Sequence, residues 1–497
     1  MTFSIADGLS ARIADVLTND PTADAIEFEG SWCTWGQLAW TANRVAALLD
    51  GPGIEVGVVL RNRPASIGAV LGVLIGAGCV VTITPARGRD RTRQDIEALD
   101  LPLVVGHPDD LADLLPTGSR ATAISITELG GPLVVTRGSH QDSGLGRPGI
   151  AVRMLTSGTT GPPKRIDLGY ETFESVLVGA KHYESNRGTE LRQLCRGVAV
   201  VNSPLAHVGG IFGVLQCVTD GRPFAMLERF TVDGWVEVVR RHRPVTASLV
   251  PAALRMVLEA DLDIDDLSSL RSVISGTAPL APDDADAFFR KYGVPVLMSY
   301  GATEFGGSVA GWNIADHQAL WSSKRGSVGR AHAGCELRIV DPDSGATLGH
   351  ETEGVLEVKA RQLAERGWVR TTDLARLDED GFLWILGRAD QAIIRGGFKI
   401  IPDDVRVALE GQPSVRGAVV IARDNRRLGA LPVAAVELWP AADPITADEL
   451  VTFISSDLTR YELPVEIRIL DELPRTDSGK VDLRAVTAQL GEPSSKG

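Results

Sequence analysis

Apolar positions along this chain recur in two rhythms. After Thr34-Trp35-Gly36-Gln37, which has the spacing of a capping box, Leu38, Ala42, Val45, Ala46 and Leu49 fall on one helical face. Short apolar runs at Val198–Val201, Val245–Val250, Val273–Ile274 and Val294–Met298 predict strands. Helical patterns lie between them at Val236–Arg241 and Leu254–Leu258, the latter with Pro251 as its first residue. Strands alternating with helices predict an α/β fold with largely parallel sheets and flanking helices. Ser66 to Thr84 is nearly all apolar and about long enough to cross a bilayer. However, Gly68, Gly72, Gly76 and Gly78 interrupt it, and Val80–Thr84 is β-branched. A buried helix ending near Gly78 and then a core strand is expected, with no membrane span.

The pattern changes toward the C-terminus. Leu377-Asp378-Glu379-Asp380-Gly381-Phe382 predicts a hairpin turn, Leu383–Leu386 its second strand, and Gly387-Arg388-Ala389-Asp390 a break. Shorter elements follow: a glycine hairpin at Gly396-Gly397, a helix from Pro402, and strands near Ala418–Ile421 and Val433–Leu438. A capping box at Thr446…Glu449 opens a helix with Leu450, Phe453, Ile454 and Leu458 inward, and Val465, Ile467 and Ile469 alternate as a strand. This is the makeup of a small α+β module of about a hundred residues.

A chain of 497 residues exceeds one ordinary core, so at least two domains are expected. The net charge of −14 argues against nucleic acid as a main partner. Five scattered cysteines, Cys33, Cys79, Cys195, Cys217 and Cys335, show no zinc-ligand spacing, and a reducing compartment is expected. Met1-Thr2-Phe3-Ser4 lacks the basic start and apolar run of a signal peptide, which makes a cytoplasmic location the expectation.

The densest chemistry is Thr156-Ser157-Gly158-Thr159-Thr160-Gly161-Pro162-Pro163-Lys164, directly after the apolar Val152, Met154 and Leu155. Glycines let backbone N–H groups approach an anion, hydroxyls donate hydrogen bonds, and the lysine adds a positive charge. A Walker A loop is excluded, because Pro163 replaces the required glycine and Arg165 follows the lysine. A second segment, Ser299-Tyr300-Gly301-Ala302-Thr303-Glu304, leaves a predicted strand end, where α/β folds bind ligands. Tyr300 offers a flat ring, and Glu304 a hard oxygen suited to Mg2+. There is no G-x-S-x-G elbow and no zinc motif, so no covalent nucleophile is expected.

Taken with Thr371-Thr372-Asp373 and Leu473-Pro474-Arg475-Thr476-Asp477-Ser478-Gly479-Lys480, these segments resemble the adenylate-forming superfamily of acyl- and aryl-CoA synthetases, in that family's order and over most of the chain. The resemblance implies an N-terminal acyl- and ATP-binding domain (1–387), a hinge at 388–390 centred on Asp390, and a mobile C-terminal lid domain (391–497). It implies ATP or AMP contacts from Thr156, Ser157, Gly158, Thr159, Thr160, Lys164, the turn Gly276-Thr277-Ala278, Ser299, Tyr300, Gly301, Thr303, Asp373, Arg388 and Lys480, with Mg2+ on Glu304. Tyr300 would pack on adenine, Thr303 contact the α-phosphate and Asp373 accept from the ribose. Lys480 would hold the attacking carboxylate against the α-phosphate. Two departures from the family pattern are Thr372, where glycine is usual, and Arg165, where glycine often follows the lysine.

The same resemblance puts His207, Val208, Gly301, Ala302, Gly306 and Gly307 around the acyl pocket, with His207 positioning the acid. The small residues there imply room for a bulky acid, and no aspartate stands nearby to hold an amino acid's ammonium group. Gly396, Gly397, Phe398 and Lys399 would form the hairpin lining a coenzyme A channel. The implied activity is ATP-dependent activation of a hydrophobic carboxylic acid, then thioester formation with coenzyme A. Transfer to an acyl carrier protein, a non-catalytic nucleotide-binding relative and a homodimer are left open.

Overall fold

In the computed structural model the described residues are 8–116, 118–139, 146–156, 164–181, 194–395, 398–425, 427–440, 442–476 and 479–491. Among them are five sheets. The largest is ordered Val134–Thr136, Thr122–Ser125, Leu103–Gly106, Glu55–Val59, Cys79–Ile83, Ile150–Thr156, Lys164–Gly169. Its inner pairings are parallel and both edge pairings antiparallel. A second sheet runs Thr246–Ser248, Ser272–Ser275, Val296–Ala302, Gly307–Gly311, Arg330–Ala331, parallel over its first three strands. A smaller one joins Ala199–Val201, Phe224–Met226, Asp24–Phe28 and Ser31–Thr34. Beside these mixed sheets stands a wholly antiparallel one, Cys335–Val340, Gly354–Ala360, Val369–Leu377, Leu383–Arg388.

Local signals in the sequence account for many of the boundaries. Thr34 and Gln37 close the capping box that opens the helix Trp35–Ala46, and Thr446 and Glu449 do the same for Ala447–Ile454. Pro251 and Pro402 stand in the first turns of their helices. The apolar stretch forms the helix Pro64–Ile75 and the buried strand Cys79–Ile83, so its helix ends three residues before Gly78. The glycines inside that helix serve packing. A Cβ on Gly68 would lie 2.8 Å from Thr41 Cγ2, and one on Gly72 would lie 2.6 Å from the Ala42 carbonyl oxygen. One turn apart, they let the helix lie close against Trp35–Ala46. No helix among the described residues is long and apolar enough to cross a membrane.

Beyond residue 391 the chain builds its own sheet. Phe398–Ile400, Ile393–Arg395, Gly429–Leu438 and Val415–Asn425 pair antiparallel, and Glu466–Leu470 joins parallel to Gly429–Leu438. Its buried clusters, one around Ile393, Val405, Val436 and Leu450 and one around Val419, Leu473 and Val486, contain no residue from the preceding part of the chain. Of the expected inward residues Phe453 is exposed, while Leu458 packs against the first of these clusters from beyond the helix end.

Candidate active site

The strand Ile150–Thr156 lies beside Cys79–Ile83, and Thr156 pairs with Lys164 as the chain returns. Ser157, Gly158, Thr159 and Thr160 lie outside the described residues. Lys164 is exposed at the start of the return strand. Arg165 does not join it. Its guanidinium donates to Asp95 at 2.5 Å and to the Thr82 carbonyl at 3.0 Å, and burial lowers its pKa. That residue therefore ties the strand to the neighbouring helix rather than facing a phosphate or open solvent.

The carboxyl ends of two adjacent parallel strands form the next wall. Ser272–Ser275 runs into Gly276-Thr277-Ala278, where Thr277 has a left-handed φ of 71°. A Cβ on Gly276 would lie 3.0 Å from the Ser299 carbonyl oxygen, so glycine lets this turn lie close against the next strand. That strand, Val296–Ala302, carries Ser299, Tyr300 and Gly301 and ends in the short turn Thr303–Phe305, which leaves Glu304 exposed. Tyr300 donates its hydroxyl to Asp373 Oδ2. Asp373 sits in the strand Val369–Leu377, not at a helix or turn cap, and its N–H donates to Thr371 Oγ1 at 3.0 Å. Its partner across the ladder is Arg388. Desolvation and the Asp373 charge push the Tyr300 phenol up, so it stays protonated and a donor.

Lys480 reaches this wall from the C-terminal part. Its loop is closed by Thr476 N–H to the Lys480 carbonyl at 2.7 Å and Gly479 N–H to the Thr476 carbonyl at 2.8 Å. Gly479 has φ 77°, and a Cβ there would lie 3.3 Å from Ala252 Cβ, so the loop sits against the start of the helix Pro251–Glu259. Desolvation at the charged end and repulsion from Arg388 lower the Lys480 pKa, while Glu304 opposes them. The side chain as a whole keeps solvent contact. Glu304, Arg388 and Lys480 therefore share one electrostatic neighbourhood beside the Tyr300–Asp373 pair. An ion pair joins the two parts of the chain: Arg416 holds Glu259 at 3.0 Å and the fully buried Glu437 at 2.5 Å.

Around the expected acyl pocket, His207 precedes the helix Val208–Thr219, whose first residue is Val208. The loop before it is pinned by Asn62, which sequence reading missed. This buried amide donates to the Ser203 and Leu227 carbonyls at 3.1 Å each and accepts from Leu205 N–H at 2.8 Å. No motif marks an isolated asparagine of this kind. At the glycines of this region the Cβ direction is taken up by the chain itself. A Cβ on Gly301 would lie 2.3 Å from the Gly307 carbonyl oxygen, one on Gly306 2.4 Å from Thr172 Cγ2, and one on Gly307 3.1 Å from Val176 Cγ1. Backbone and side chains of this chain occupy those positions at 301 and 306 and crowd the one at 307, so strand packing calls for glycine there. Ala302 caps the turn that carries Glu304.

Gly396 and Gly397 lie outside the described residues, but the strands flanking them pair, with Arg395 opposite Phe398. Phe398 is exposed and stacks on Tyr461 with centroids 4.6 Å apart. Lys399 lies in the second of those strands, and Asp390 in the short turn Ala389–Gln391. Among the described residues no group of three His, Cys, Asp or Glu could hold a metal by itself. Glu304 has the chemistry for Mg2+ of the other kind: a single exposed carboxylate, which would share the ion with substrate phosphates.

Residues 13–367 match the AMP-binding enzyme family, and residues 406–480 match the AMP-binding enzyme C-terminal domain. A 4-coumarate–CoA ligase 1 of Oryza sativa subsp. japonica is 25% identical over 99% of this chain and 87% of its own length. Among solved structures, ATP-bound MatB from Rhodopseudomonas palustris has a TM-score of 0.82 at 23% identity, covering 98% of this chain and 99% of that one. The o-succinylbenzoate CoA synthetase MenE from Bacillus subtilis, in complex with an acyl-adenylate intermediate, has a TM-score of 0.78 at 22% identity, covering 97% and 98%.

Proposed function

The chain belongs to the AMP-binding enzyme family, and on that premise we propose that it is an AMP-forming acid–thiol ligase. It activates a hydrophobic carboxylic acid with ATP to an acyl adenylate and pyrophosphate, then passes the acyl group to coenzyme A and releases AMP. The observation that carries this reading is that the Lys480 loop of the C-terminal module sits against the helix Pro251–Glu259, with Lys480 in the electrostatic neighbourhood of Glu304 and Arg388 beside the Tyr300–Asp373 pair. The CoA-ligase name of the rice relative supports coenzyme A as the thiol.

In the first step a substrate carboxylate oxygen forms a bond to the α-phosphorus as the bond to pyrophosphate breaks in line. Lys480 lies between the two negative partners, lowers their repulsion and offsets charge gathering on the α-phosphate. Thr303 donates to the same phosphate. The segment Thr156–Lys164, with Ser157, Gly158, Thr159 and Thr160, grips the outer phosphates. Glu304 would hold Mg2+, which when bound would supply charge neutralisation at the phosphate oxygens. Asp373, oriented by Tyr300, accepts from the ribose hydroxyls, and Arg388 borders the ribose and phosphate. Gly276-Thr277-Ala278 and the Tyr300 ring enclose the adenine. His207 orients the acid.

For the thiol step the C-terminal module (391–497) turns about the hinge at 388–390, with the torsion change at Asp390. That turn withdraws Lys480 from the N-terminal part (1–387) and brings up Gly396, Gly397, Phe398 and Lys399. The glycines there leave a narrow channel for the thiol arm.

ATP, Mg2+ and a panel of carboxylic acids, each with and without free coenzyme A, test this. Acid-dependent pyrophosphate release with formation of AMP and acyl-CoA is the expected result. Adenylate formation with transfer only to a carrier-protein thiol would move the acceptor. Absence of acid-dependent pyrophosphate release across the panel would overturn the activity.

A further inference from the structure

Ser299, Ser308 and His332 form a continuous polar row. Ser299 Oγ lies 2.9 Å from Ser308 Oγ, and Ser308 Oγ lies 2.8 Å from His332 Nε2. The row begins at the nucleotide side, since a Cβ on Gly276 would lie 3.5 Å from Ser299 Oγ. It then leads away across the sheet. Ser308 stands directly opposite Gly301 in the ladder and follows Gly307, two positions that the family resemblance puts around the acyl pocket. A register shift between Tyr300 and Gly301 puts Ser308 Oγ within 3.1 Å of the Tyr300 carbonyl and 3.0 Å of the Ala310 carbonyl. All three residues are half-buried, whereas the neighbouring Val309 and Ala310 are fully buried. The result is a polar strip in an apolar wall, running from the turn beside the nucleotide toward the acyl end.

The row is uncharged. Burial lowers the His332 pKa to about 4, which leaves a neutral ring with one donor and one acceptor nitrogen. Ser308 Oγ directs its proton at the Tyr300 and Ala310 carbonyls and holds Ser299 and His332 on its lone pairs, so it ties the row together, while the Ser299 hydroxyl at its end can turn to offer either a proton or a lone pair. An alkyl chain pressed against it would strip water from these groups without replacing the hydrogen bonds. A second carboxylate would be buried against it without a cation. Gly311 makes the ring's position available, because a Cβ there would lie 2.7 Å from His332 Cε1.

Resting on the ligase reading above, we propose that Ser299, Ser308 and His332 select the acid by receiving one neutral hydrogen-bonding substituent, a hydroxyl or a carbonyl, on an otherwise hydrophobic acyl group. The polar row would set which acid is activated and take no part in the chemistry at phosphorus.

The test uses sets of acids that share one carbon skeleton: plain, hydroxylated, keto-substituted and bearing a second carboxylate. For each set, kcat/KM for pyrophosphate release is measured for the parent enzyme, Ser308→Ala and His332→Leu. In at least one set the parent prefers the hydroxyl or keto member by about tenfold or more over the plain and dicarboxylate members. That ratio falls toward one in both variants. If a melting curve shows that His332→Leu is unfolded, His332→Gln and Ser308→Ala carry the comparison. A parent ratio near one in every set, a preferred dicarboxylate, or a ratio that survives both substitutions overturns the proposal and leaves the ligase activity standing. No pyrophosphate release with any acid overturns the ligase reading and this proposal together.

Discussion

The Tyr300 hydroxyl donates to Asp373 Oδ2, so the aromatic ring and the carboxylate assigned to one nucleotide are held by each other before it arrives. Tyr300→Phe keeps the ring and removes only this tie. Hydrogen bonds to charged groups contribute about 1.5–3 kcal/mol, so the KM for ATP is expected to rise about tenfold or more, with the KM for the acid little changed. Steady-state kinetics with each substrate varied in turn check this. Equal ATP constants in the two proteins would show that Asp373 needs no such support.

In the proposed mechanism Lys480 acts in one half-reaction only. Lys480→Ala is expected to slow acid-dependent ATP–pyrophosphate exchange by about 100-fold or more, the scale of losing a charge aimed at the transition state. Thioester formation from chemically prepared acyl adenylate should be nearly unaffected. Comparing the two half-reactions in the same preparation makes the distinction, and equal losses in both would remove the assigned role.

Arg416 links Glu259 of the N-terminal part to the buried Glu437 of the C-terminal module. Glu259→Gln leaves the buried pair intact and loosens only the bridge between the parts. A partly exposed ion pair contributes up to about 1 kcal/mol, enough to shift a two-orientation equilibrium by about fivefold. Slower adenylation with unchanged or faster thioester formation from supplied adenylate is expected. A uniform drop in both steps would mean that the bridge has only a structural role.

Burial holds His332 neutral to about pH 4, far below the ordinary histidine range. The acid preference defined by the row should therefore be flat between pH 5.5 and 8.5, even where the overall rate changes. Ratios of kcat/KM for one matched pair of acids across that range provide the check. A preference that switches with a midpoint near 6.5 would mean that the ring titrates freely.

Local chemistry made much of this fold legible. The capping boxes at Thr34 and Thr446 and the prolines at 251 and 402 depend on neighbours a few residues away, and each marks a helix start in the structure. Relations across the fold were hidden. Gly301 and Gly306 read as open space, but what fills that space comes from Gly307 and Thr172 after folding. Arg165 read only as a departure from the usual glycine until the fold put Asp95 of the helix Arg89–Leu99 beside it. The partners of Asn62 lie 141 to 165 residues away in sequence, and those of His332 and Arg416 are equally invisible to spacing. Single polar residues without a repeating pattern carry no sequence signal, although two of these border the site.

The contact between Gly301 and the Gly307 carbonyl limits how this protein could acquire a new substrate. Mutations that enlarge residue 301 would displace the facing strand, and the row of hydroxyls with it, before they reshaped any cavity. Adaptation to a different acid, in nature or by directed evolution, would thus proceed through exchanges at positions 308 and 332, while the glycine stays frozen.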